Sequence, residues 1–243
     1  MVMKKLVTTL LSSKRKPTHP LIIQNNQRFL AQTGFPGLLR EYEFVVFDTE
    51  LTGFNRKRDE IVAIGAVRIQ GLRIICGQTF YALVRPDERF HTTSTLVHRL
   101  TPQELRGAVG LPEVLPRFVE FCGDAVLVGH YVGLDLDFLA RATRRLMGGH
   151  LAAPHLDTIR LAMAYHELIH KEGREYAHRQ GAYSLSGLTK KFGLPSFDAH
   201  NALQDSIQTA YLFLYLTRKL ADLGLRTLND FLSAGIKRTN LLS

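Results

Sequence analysis

The stretch FVVFDTE, residues 44–50, joins four consecutive apolar residues to two carboxylates that lie two positions apart. A short apolar run of this kind favours a buried strand. Because side chains two apart in a strand point to the same face, Asp48 and Glu50 project side by side from its end. Adjacent carboxylates repel each other unless a divalent cation neutralises them, and hard oxygen ligands select magnesium or manganese. A solvated acidic turn after a buried strand is the alternative that this pair alone leaves open.

Two later segments carry further acidic residues. Residues 125–130, AVLVGH, indicate a second buried strand, after which the chain turns into a helix that begins near Asp135. At a helix N-terminus Asp135 is favoured by the helix dipole even without a metal. In HNALQD, residues 200–205, we expect His200 in the loop before a helix and Asp205 one turn inside it. An offset of five residues separates two side chains by about 140° on a helix, so these two need not bind the same atom.

Taken in this order, the three segments resemble the motifs of the DEDDh exonucleases over roughly residues 42–219. The motifs are FDTELTGF at 47–54, the run from Gly129-His130 through Asp135 to Phe138-Leu139, and HNALQD at 200–205. Segments 95–101, 157–162 and 184–188 also match. The resemblance implies an α/β fold with a ribonuclease-H-like mixed sheet, an antiparallel meander plus parallel strands, flanked by helices. Strands are expected at about 43–48, 60–70, 75–84 and 125–130, and the carboxylates are expected at the centre of the sheet.

The resemblance also implies a chemistry, that of a metal-dependent 3′–5′ exonuclease that releases nucleoside monophosphates. Two ions of Mg²⁺ or Mn²⁺ about 4 Å apart can activate water and neutralise charge in such a reaction. By resemblance, Asp48 bridges both ions, Glu50 and Asp205 complete the site that holds the attacking water, and Asp135 supports the second ion. His200 is the general base, since an unperturbed pKa of about 6.5 suits proton transfer near neutral pH.

The motifs specify the residues that bind the substrate less closely than the residues that carry out the chemistry. The residues expected to hold the terminal nucleotide belong to the first two motifs: Thr49, Leu51, Thr52, Phe54, His130 and Tyr131. Leu51, Tyr131 and Leu134 stand where the family often has Thr, Asn and Phe. Phe54, Tyr131 and Tyr183 are candidates for stacking on bases, with burial in the core as the alternative. DNA is the expected substrate; short or structured RNA, and an accessory nucleic-acid-binding module with an idle site, are the alternatives.

A competing metal motif, HELIH at residues 166–170, matches the helix signature of zinc metallopeptidases. Its extension fails, because Tyr176 occupies the third-ligand position of the longer form and no Glu follows Glu175 to serve as a downstream ligand. We therefore interpret His166 and His170 as ordinary residues of an exposed helix.

Composition favours one well-buried domain with appendages, which we place at residues 41–220 for the exonuclease domain, 1–40 for a basic extension and 221–243 for a short C-terminal extension. With two cysteines and no stretch of about 20 apolar residues, we expect a cytoplasmic protein without membrane partners. Only some 24 residues follow the final expected helix, which favours a stand-alone repair or turnover role, although a DNA polymerase remains a possible partner.

Charge is distributed unevenly along the chain. Residues 1–40 contain seven Lys or Arg and no acid, whereas the remainder has 24 basic against 22 acidic residues, within a total formal charge of +9. Such an arm suits contact with nucleic-acid phosphates, with affinity that falls as salt rises. A leader that aids solubility or targeting is the alternative. Residues 21–32 are expected to form a short helix that packs on the core.

Overall fold

A computed structural model describes residues 16–87, 100–169, 181–197 and 201–236 of the chain. Its centre is a six-stranded mixed sheet in the order β4-β3-β2-β1-β5-β6. The strands are β1 (Phe44–Leu51), β2 (Ile61–Gln70), β3 (Arg73–Arg85), β4 (Val109–Gly110), β5 (Val126–Gly129) and β6 (His155–Asp157). β1, β2 and β3 form an antiparallel meander, while β5 pairs parallel to β1 and β6 parallel to β5. The expected fold class is confirmed.

Helices cover both faces of this sheet. Within the described ranges they are α1 (Pro20–Leu30), α2 (Pro102–Arg106), α3 (Leu111–Cys122), α4 (Gly133–Met147), α5 (Thr158–Ile169), α6 (Leu185–Phe192), α7 (Ala202–Asp222) and α8 (Leu228–Ile236). In the described part of the chain, none of these helices has the length and apolar character needed to cross a membrane.

Strand β1 is buried on both faces, which explains its continuous apolar run. Phe47 packs on Phe118 of α3 on one side, with ring centroids 5.7 Å apart. Phe44 packs on Phe213 of α7 on the other side, with centroids 5.1 Å apart. The two faces thus belong to two separate hydrophobic clusters. Because packing fixes β1 from both sides, the carboxylates at its end are held on a rigid element.

Several elements differ from the sequence-based expectation. The short strands β4 and β6 were not predicted, because two or three residues carry too little periodicity to be recognised. Helix α8 was not predicted either, although Leu228 and Phe231 are fully buried. The amide of Leu39 also donates to the carbonyl of Arg226, at 2.9 Å. The segment after residue 220 therefore packs on the core over its described part.

The described part of the basic extension also packs on the core, as expected for residues 21–32. Ile22 and Phe29 of α1 are buried. The side-chain amide of Asn25 donates to the carbonyl of Val119 in α3, at 2.6 Å. The division of the chain into three segments stays a prediction, and residues 1–15 lie outside the described residues.

Candidate active site

Three carboxylates meet at the end of β1. Oxygen atoms of Asp48, Glu50 and Asp205 lie within 4.8 Å of one another. Asp48 and Glu50 come from one face of β1, as their spacing predicts, and Asp205 comes from the first turn of α7. Two elements far apart in sequence therefore contribute to one acidic cluster.

Gly65 is the reason that α7 approaches so closely. It pairs with Asp48 across the β1–β2 ladder. A Cβ atom at position 65 would lie 2.1 Å from the carbonyl carbon of Ala202 and 2.2 Å from the amide nitrogen of Leu203. Since those are backbone atoms that cannot move aside, only glycine permits this contact. The missing side chain on β2 thus brings the start of α7 beside the carboxylates of β1.

Asp135 lies in the first turn of α4 and is buried. It is not the N-cap residue of α4, which is Val132 and makes no side-chain cap. Instead, Asp135 Oδ1 accepts hydrogen bonds from the Thr49 amide, at 3.1 Å, and from the Thr49 hydroxyl. This buried contact ties α4 to β1 between Asp48 and Glu50. The expected role of Asp135 as a metal ligand stays a prediction.

The electrostatics of the cluster reflect crowded negative charge in a partly dry environment. Burial raises the pKa of Asp48 well above its usual range, and the neighbouring charges of Asp135, Asp205 and Glu50 raise it further. Burial, followed by Asp205 and Asp135, raises the pKa of Glu50 to about 7. Burial raises the pKa of Asp135 to about 6, against the opposing effect of the hydrogen bonds from Thr49.

This donor set fits a divalent cation. Its atoms are all carboxylate oxygens, which are the ligands preferred by hard cations such as Mg²⁺ and Mn²⁺. A bound cation would reverse the rise in pKa, because it stabilises the charged carboxylates that otherwise repel one another. No Lys or Arg in the described ranges forms an ion pair with Asp48 or Glu50 that would do this instead.

A cleft of about 370 Å³ opens beside these carboxylates. The cleft is lined by all six residues that we expected from the sequence to bind substrate: Thr49, Leu51, Thr52, Phe54, His130 and Tyr131. Phe54 and Tyr131 are 77% and 63% exposed, so burial in the core is excluded for both. Thr52 has a local role as well, since its hydroxyl accepts from the Glu60 amide at 2.9 Å. The wall of the cleft therefore contains the exposed rings of Phe54 and Tyr131 and a loop that the Thr52–Glu60 hydrogen bond stabilises.

Hydrogen bonds to Asp157 and to Thr158, the first residue of α5, hold His130 and Tyr131 in place. His130 Nδ1 lies 2.8 Å from the Thr158 hydroxyl, and burial lowers the pKa of His130 to about 4, so the ring is neutral at pH 7. Tyr131 has a φ of 57°, a left-handed conformation that is uncommon for a bulky residue. Its amide donates to Asp157 Oδ1 at 3.1 Å. The sequence indicated Asp157 only as part of a matching segment. In the structure its carboxylate holds the backbone of Tyr131 beside the cleft.

Tyr81 is a residue that the sequence reasoning missed. Strand register aligns it with Gly65, which in turn aligns with Asp48, so the three face the same side of the sheet. Burial raises the pKa of Tyr81, the charges of Glu50 and Glu104 raise it further, and a hydrogen bond with Asn201 opposes them. The turn between β2 and β3 and a register shift between Val67 and Ile69 together set this pairing. No motif signals it.

The remaining predictions for the site have different outcomes. His200 lies outside the described residues; the next residue, Asn201, caps α7 by accepting from the amides of Leu203 and Gln204. Asp137 is half exposed, as expected, and pairs with Arg56 at 2.9 Å. Tyr183 does not line the cleft and is partly buried, with its hydroxyl 2.9 Å from His166 Nδ1.

The competing zinc motif is not assembled as its pattern suggests, and the interpretation of His166 as an exposed residue is wrong. His166 is 1% exposed. Its Nε2 lies 2.9 Å from the Lys191 ammonium, which can only donate, so the Nε2 lone pair is engaged. His170 and Tyr176 lie outside the described residues. Within the described ranges, the one group of three or more possible metal-binding side chains that converge is Asp48, Glu50 and Asp205.

Sequence comparison finds similar proteins among subunits and forms of DNA polymerase III. The chain is 37% identical over 207 residues to a DNA polymerase III subunit epsilon-like protein of Rhodobacter capsulatus, covering 84% of this chain and 28% of that protein. It is 32% identical over 187 residues to a PolC-type DNA polymerase III of Thermotoga maritima, covering 77% and 13%. It is also 32% identical over 177 residues to the DNA polymerase III subunit epsilon of Aquifex aeolicus, covering 73% and 81%. The chain thus spans less than a third of the length of the first two relatives.

Solved structures share the fold. Exonuclease X in complex with 5′ overhanging duplex DNA aligns with a TM-score of 0.56 at 22% identity, covering 79% of this chain and 99% of that one. E. coli Exonuclease I in complex with a dT13 oligonucleotide aligns with a TM-score of 0.64 at 18% identity, covering 75% and 42%. The sequence pattern of the exonuclease family matches residues 45–213, which contain the acidic cluster and every strand of the sheet except the first residue of β1. The chain therefore belongs to the exonuclease family.

Proposed function

We propose that this protein is a divalent-metal-dependent 3′–5′ exonuclease that acts on DNA and releases nucleoside 5′-monophosphates. The observation that supports it most strongly is the convergence of Asp48, Glu50 and Asp205 beside a cleft whose walls present Phe54 and Tyr131. Hydrolysis of a phosphodiester requires neutralised charge at phosphorus and a place for the terminal nucleotide. The acidic cluster supplies the first once a cation is bound, and the cleft supplies the second.

Each residue has a defined task in this proposal. Asp48, Glu50, Asp205 and Asp135 would hold two ions of Mg²⁺ or Mn²⁺, Asp135 directly or through water. Bound ions of this kind neutralise phosphate charge and lower the pKa of water. His200 accepts the proton of the attacking water. The new P–O bond forms as the P–O3′ bond breaks, and the electron pair passes to the 3′ oxygen of the shortened strand, which then takes up a proton.

The cleft residues hold the strand end. Exposed rings of Phe54 and Tyr131 suit stacking on bases, which tolerates any sequence because every base has an aromatic face. Leu51 and Leu134 contribute apolar surface to the same cleft. Thr49 is committed to Asp135 through its amide and hydroxyl, so we assign its side chain to positioning Asp135.

Matched oligonucleotides test the activity, its direction and its substrate. Single-stranded DNA, duplex DNA and RNA of one sequence, each labelled at the 5′ or the 3′ end, are digested with Mg²⁺ or Mn²⁺. We expect a ladder of shortening products from 5′-labelled DNA and immediate release of a labelled mononucleotide from 3′-labelled DNA, with no product in EDTA. Degradation of RNA alone would assign the site to an exoribonuclease, and binding without hydrolysis would assign the chain to an accessory module.

We further propose a cytoplasmic location and association with a DNA polymerase. Support comes from the relatives named as subunits or forms of DNA polymerase III. Both cysteines of the chain, Cys76 and Cys122, are free thiols, which suits a reducing compartment. Co-elution of the purified chain with the replicative polymerase of the same organism tests the partner. Separate elution at micromolar concentrations of both proteins would favour a stand-alone enzyme.

A further inference from the structure

A second cleft, of about 220 Å³, lies behind the loop that connects β1 to β2. Its walls are this loop, the end of β3 and the outer part of α4. Cationic side chains dominate the lining: five cations, Lys57, Arg58, Arg85, Arg141 and Arg145, stand against two carboxylates, Glu60 and Asp87. This basic cleft and the acidic cleft beside Asp48 are opposite in charge. They are close together, because only the loop between β1 and β2 lies between them.

Arg141 builds the wall of the basic cleft. Its guanidinium donates to the backbone carbonyls of Arg56 and Asp59 and lies over the Phe138 ring, 4.9 Å from its centroid. These contacts tie the loop to α4. Because the loop is held in this way, Lys57 and Arg58 are kept at the rim of the cleft.

The two carboxylates of the basic cleft are already engaged. Glu60 Oε2 accepts from the Asp87 amide at 2.8 Å, and Asp87 lies 3.7 Å from Arg145. Lys57 and Arg85 are exposed and take part in no ion pair that the described ranges contain. The cleft therefore keeps an excess of positive charge that an anionic ligand could neutralise.

The basic cleft and the acidic cleft are joined by two elements. Leu51, which lines the acidic cleft, pairs across the sheet with Ile61, which lines the basic cleft. Helix α4 contributes Asp135 to the first cleft and Arg145 to the second. Ten helical residues correspond to roughly 15 Å. At a rise of about 3.4 Å per nucleotide, that distance corresponds to about four nucleotides of a strand in helical form.

We propose that the basic cleft binds the phosphodiester backbone of the nucleic-acid strand whose 3′ end occupies the acidic cleft, about four nucleotides away at the same helical rise. This inference rests on the proposed function. It assigns Lys57 and Arg85 to substrate positioning, not to chemistry. Cations near phosphates favour binding without reading sequence. Their contribution should therefore depend on strand length, because a short substrate cannot reach from one cleft to the other.

A length comparison with a charge-matched control tests this. The test variant is Lys57→Gln/Arg85→Gln, which leaves the contacts of Arg141 in place. The control is Lys190→Gln/Arg218→Gln, which removes the same two charge types from exposed positions that line neither cleft. Anisotropy measures binding of labelled oligothymidylates of three and twelve nucleotides in EDTA over a salt series, and kcat and KM are measured with Mn²⁺.

We expect the test variant to bind the twelve-nucleotide strand more weakly, with a log–log salt slope reduced by about 1.4 for two lost contacts. Its KM for that strand should rise while kcat stays unchanged, and its affinity for the trinucleotide should equal that of the wild type. Equal losses at both lengths, equal losses in the control, or no loss at all would each overturn the proposal. Calorimetry measures the binding of inorganic phosphate to the wild type and the test variant. If the test variant loses phosphate binding while its strand binding is unchanged, the proposal is overturned in favour of a free anion as the ligand.

The two proposals fail in different ways. Wild-type protein that binds strands but hydrolyses none with Mg²⁺ or Mn²⁺ would contradict the proposed activity. The binding measurement in EDTA requires no hydrolysis, so a length-independent result there would contradict the basic cleft while leaving the activity intact.

Discussion

Two regions of this protein carry sequence patterns typical of metal sites, and the fold treats them in opposite ways. At the end of β1, Asp48 and Glu50 meet Asp205 from another element, within 4.8 Å, and burial together with the neighbouring charges raises the pKa of both Asp48 and Glu50. In α5, His166 is buried and hydrogen-bonded to Tyr183 and Lys191. The first group gains from a cation, whereas the second has its ring nitrogens already occupied.

The difference shows that spacing within one element is weak support for a metal site. A helix places residues i and i+4 on one face whatever their purpose. Convergence from separate elements is more informative, because packing must be arranged to bring like charges together against their repulsion. Each of the following predictions tests one side of this comparison.

The largest expected effect comes from removing a carboxylate of the acidic cluster. Asp48→Ala or Asp205→Ala should lower kcat at saturating Mn²⁺ by at least roughly a hundredfold, since metal stabilisation of the transition state amounts to several kcal/mol. The fold should persist, as judged by circular dichroism. Asp137→Ala is the control, because this half-exposed carboxylate pairs with Arg56 away from the cluster. A variant at Asp48 that retains more than a few per cent of the activity would remove that residue from the site.

His200→Ala is expected to lower kcat by roughly 10²- to 10⁴-fold, the usual contribution of a general base. The variant should also lose the rise of kcat/KM with pH that a histidine base, whose unperturbed pKa is about 6.5, gives to such a reaction. His150→Ala, at an exposed position, should leave both the rate and the pH profile unchanged. A pH profile for His200→Ala that parallels the wild type would assign the base elsewhere.

Stability of the metal-free protein tests the repulsion directly. The pKa of Glu50 is raised to about 7 from an ordinary 4.5. Its contribution to stability is thus fully present below about pH 4.5 and is lost as the pH rises through about 7. In EDTA at pH 8, Glu50→Gln should therefore raise the free energy of unfolding by roughly 1–2 kcal/mol.

The effect is measured as the difference in unfolding free energy between variant and wild type, because the buried His130 makes stability depend on pH in the opposite sense to Glu50. The pKa of His130 is lowered to about 4, so its contribution is present above its ordinary 6.5 and is lost as the pH falls toward 4. The stabilisation by Glu50→Gln should shrink toward zero near pH 4.5. At pH 8, Mn²⁺ should stabilise the wild type more than the variant. Equal stabilisation of both by Mn²⁺ would argue that Glu50 does not contact the ion.

His166→Gln sharpens the other side of the comparison. Because the His166 ring joins Tyr183 and Lys191 in a buried position, its loss should cost roughly 1–3 kcal/mol of stability. The value of kcat should stay within about twofold, since no catalytic task is assigned to this helix. Replacing His170 as well should not change turnover further. His150→Gln is the surface control. One tightly held zinc per chain in elemental analysis would revive the peptidase or a structural-zinc interpretation.

The smallest effect is expected from the basic arm. Lys16 donates to the Leu146 carbonyl and α1 packs on the core, so deleting residues 1–40 would also remove buried contacts. Neutral substitution of Lys4, Lys5, Lys14, Arg15 and Lys16 keeps the buried residues of α1 and removes only the Lys16 hydrogen bond among the contacts named above. If the arm contacts phosphates, the log–log salt slope for single strands should fall by roughly 0.7 per lost contact, with kcat unchanged. An unchanged slope would assign the arm to solubility or targeting.

Much of the site could be predicted because its residues lie at the ends of strongly patterned elements. The run Phe44 to Phe47 identifies a buried strand, and the period of two places Asp48 and Glu50 on one face. The turn into α4 locates Asp135 within a few residues. Tyr81 and the basic cleft were missed, because both depend on which strands and helices become neighbours, and no local pattern reports that.

From the sequence alone we could predict the long strands of the sheet, the placement of Asp48 and Glu50 on one face of β1, and the family. Only the packing of distant elements brings Asp135 to Thr49 and buries His166. The same packing places α7 against Gly65, so that Asp205 lies beside Asp48. The physical reason is range. Backbone geometry fixes relations over a few residues, whereas burial, close backbone approach and the meeting of like charges arise only when distant elements pack together.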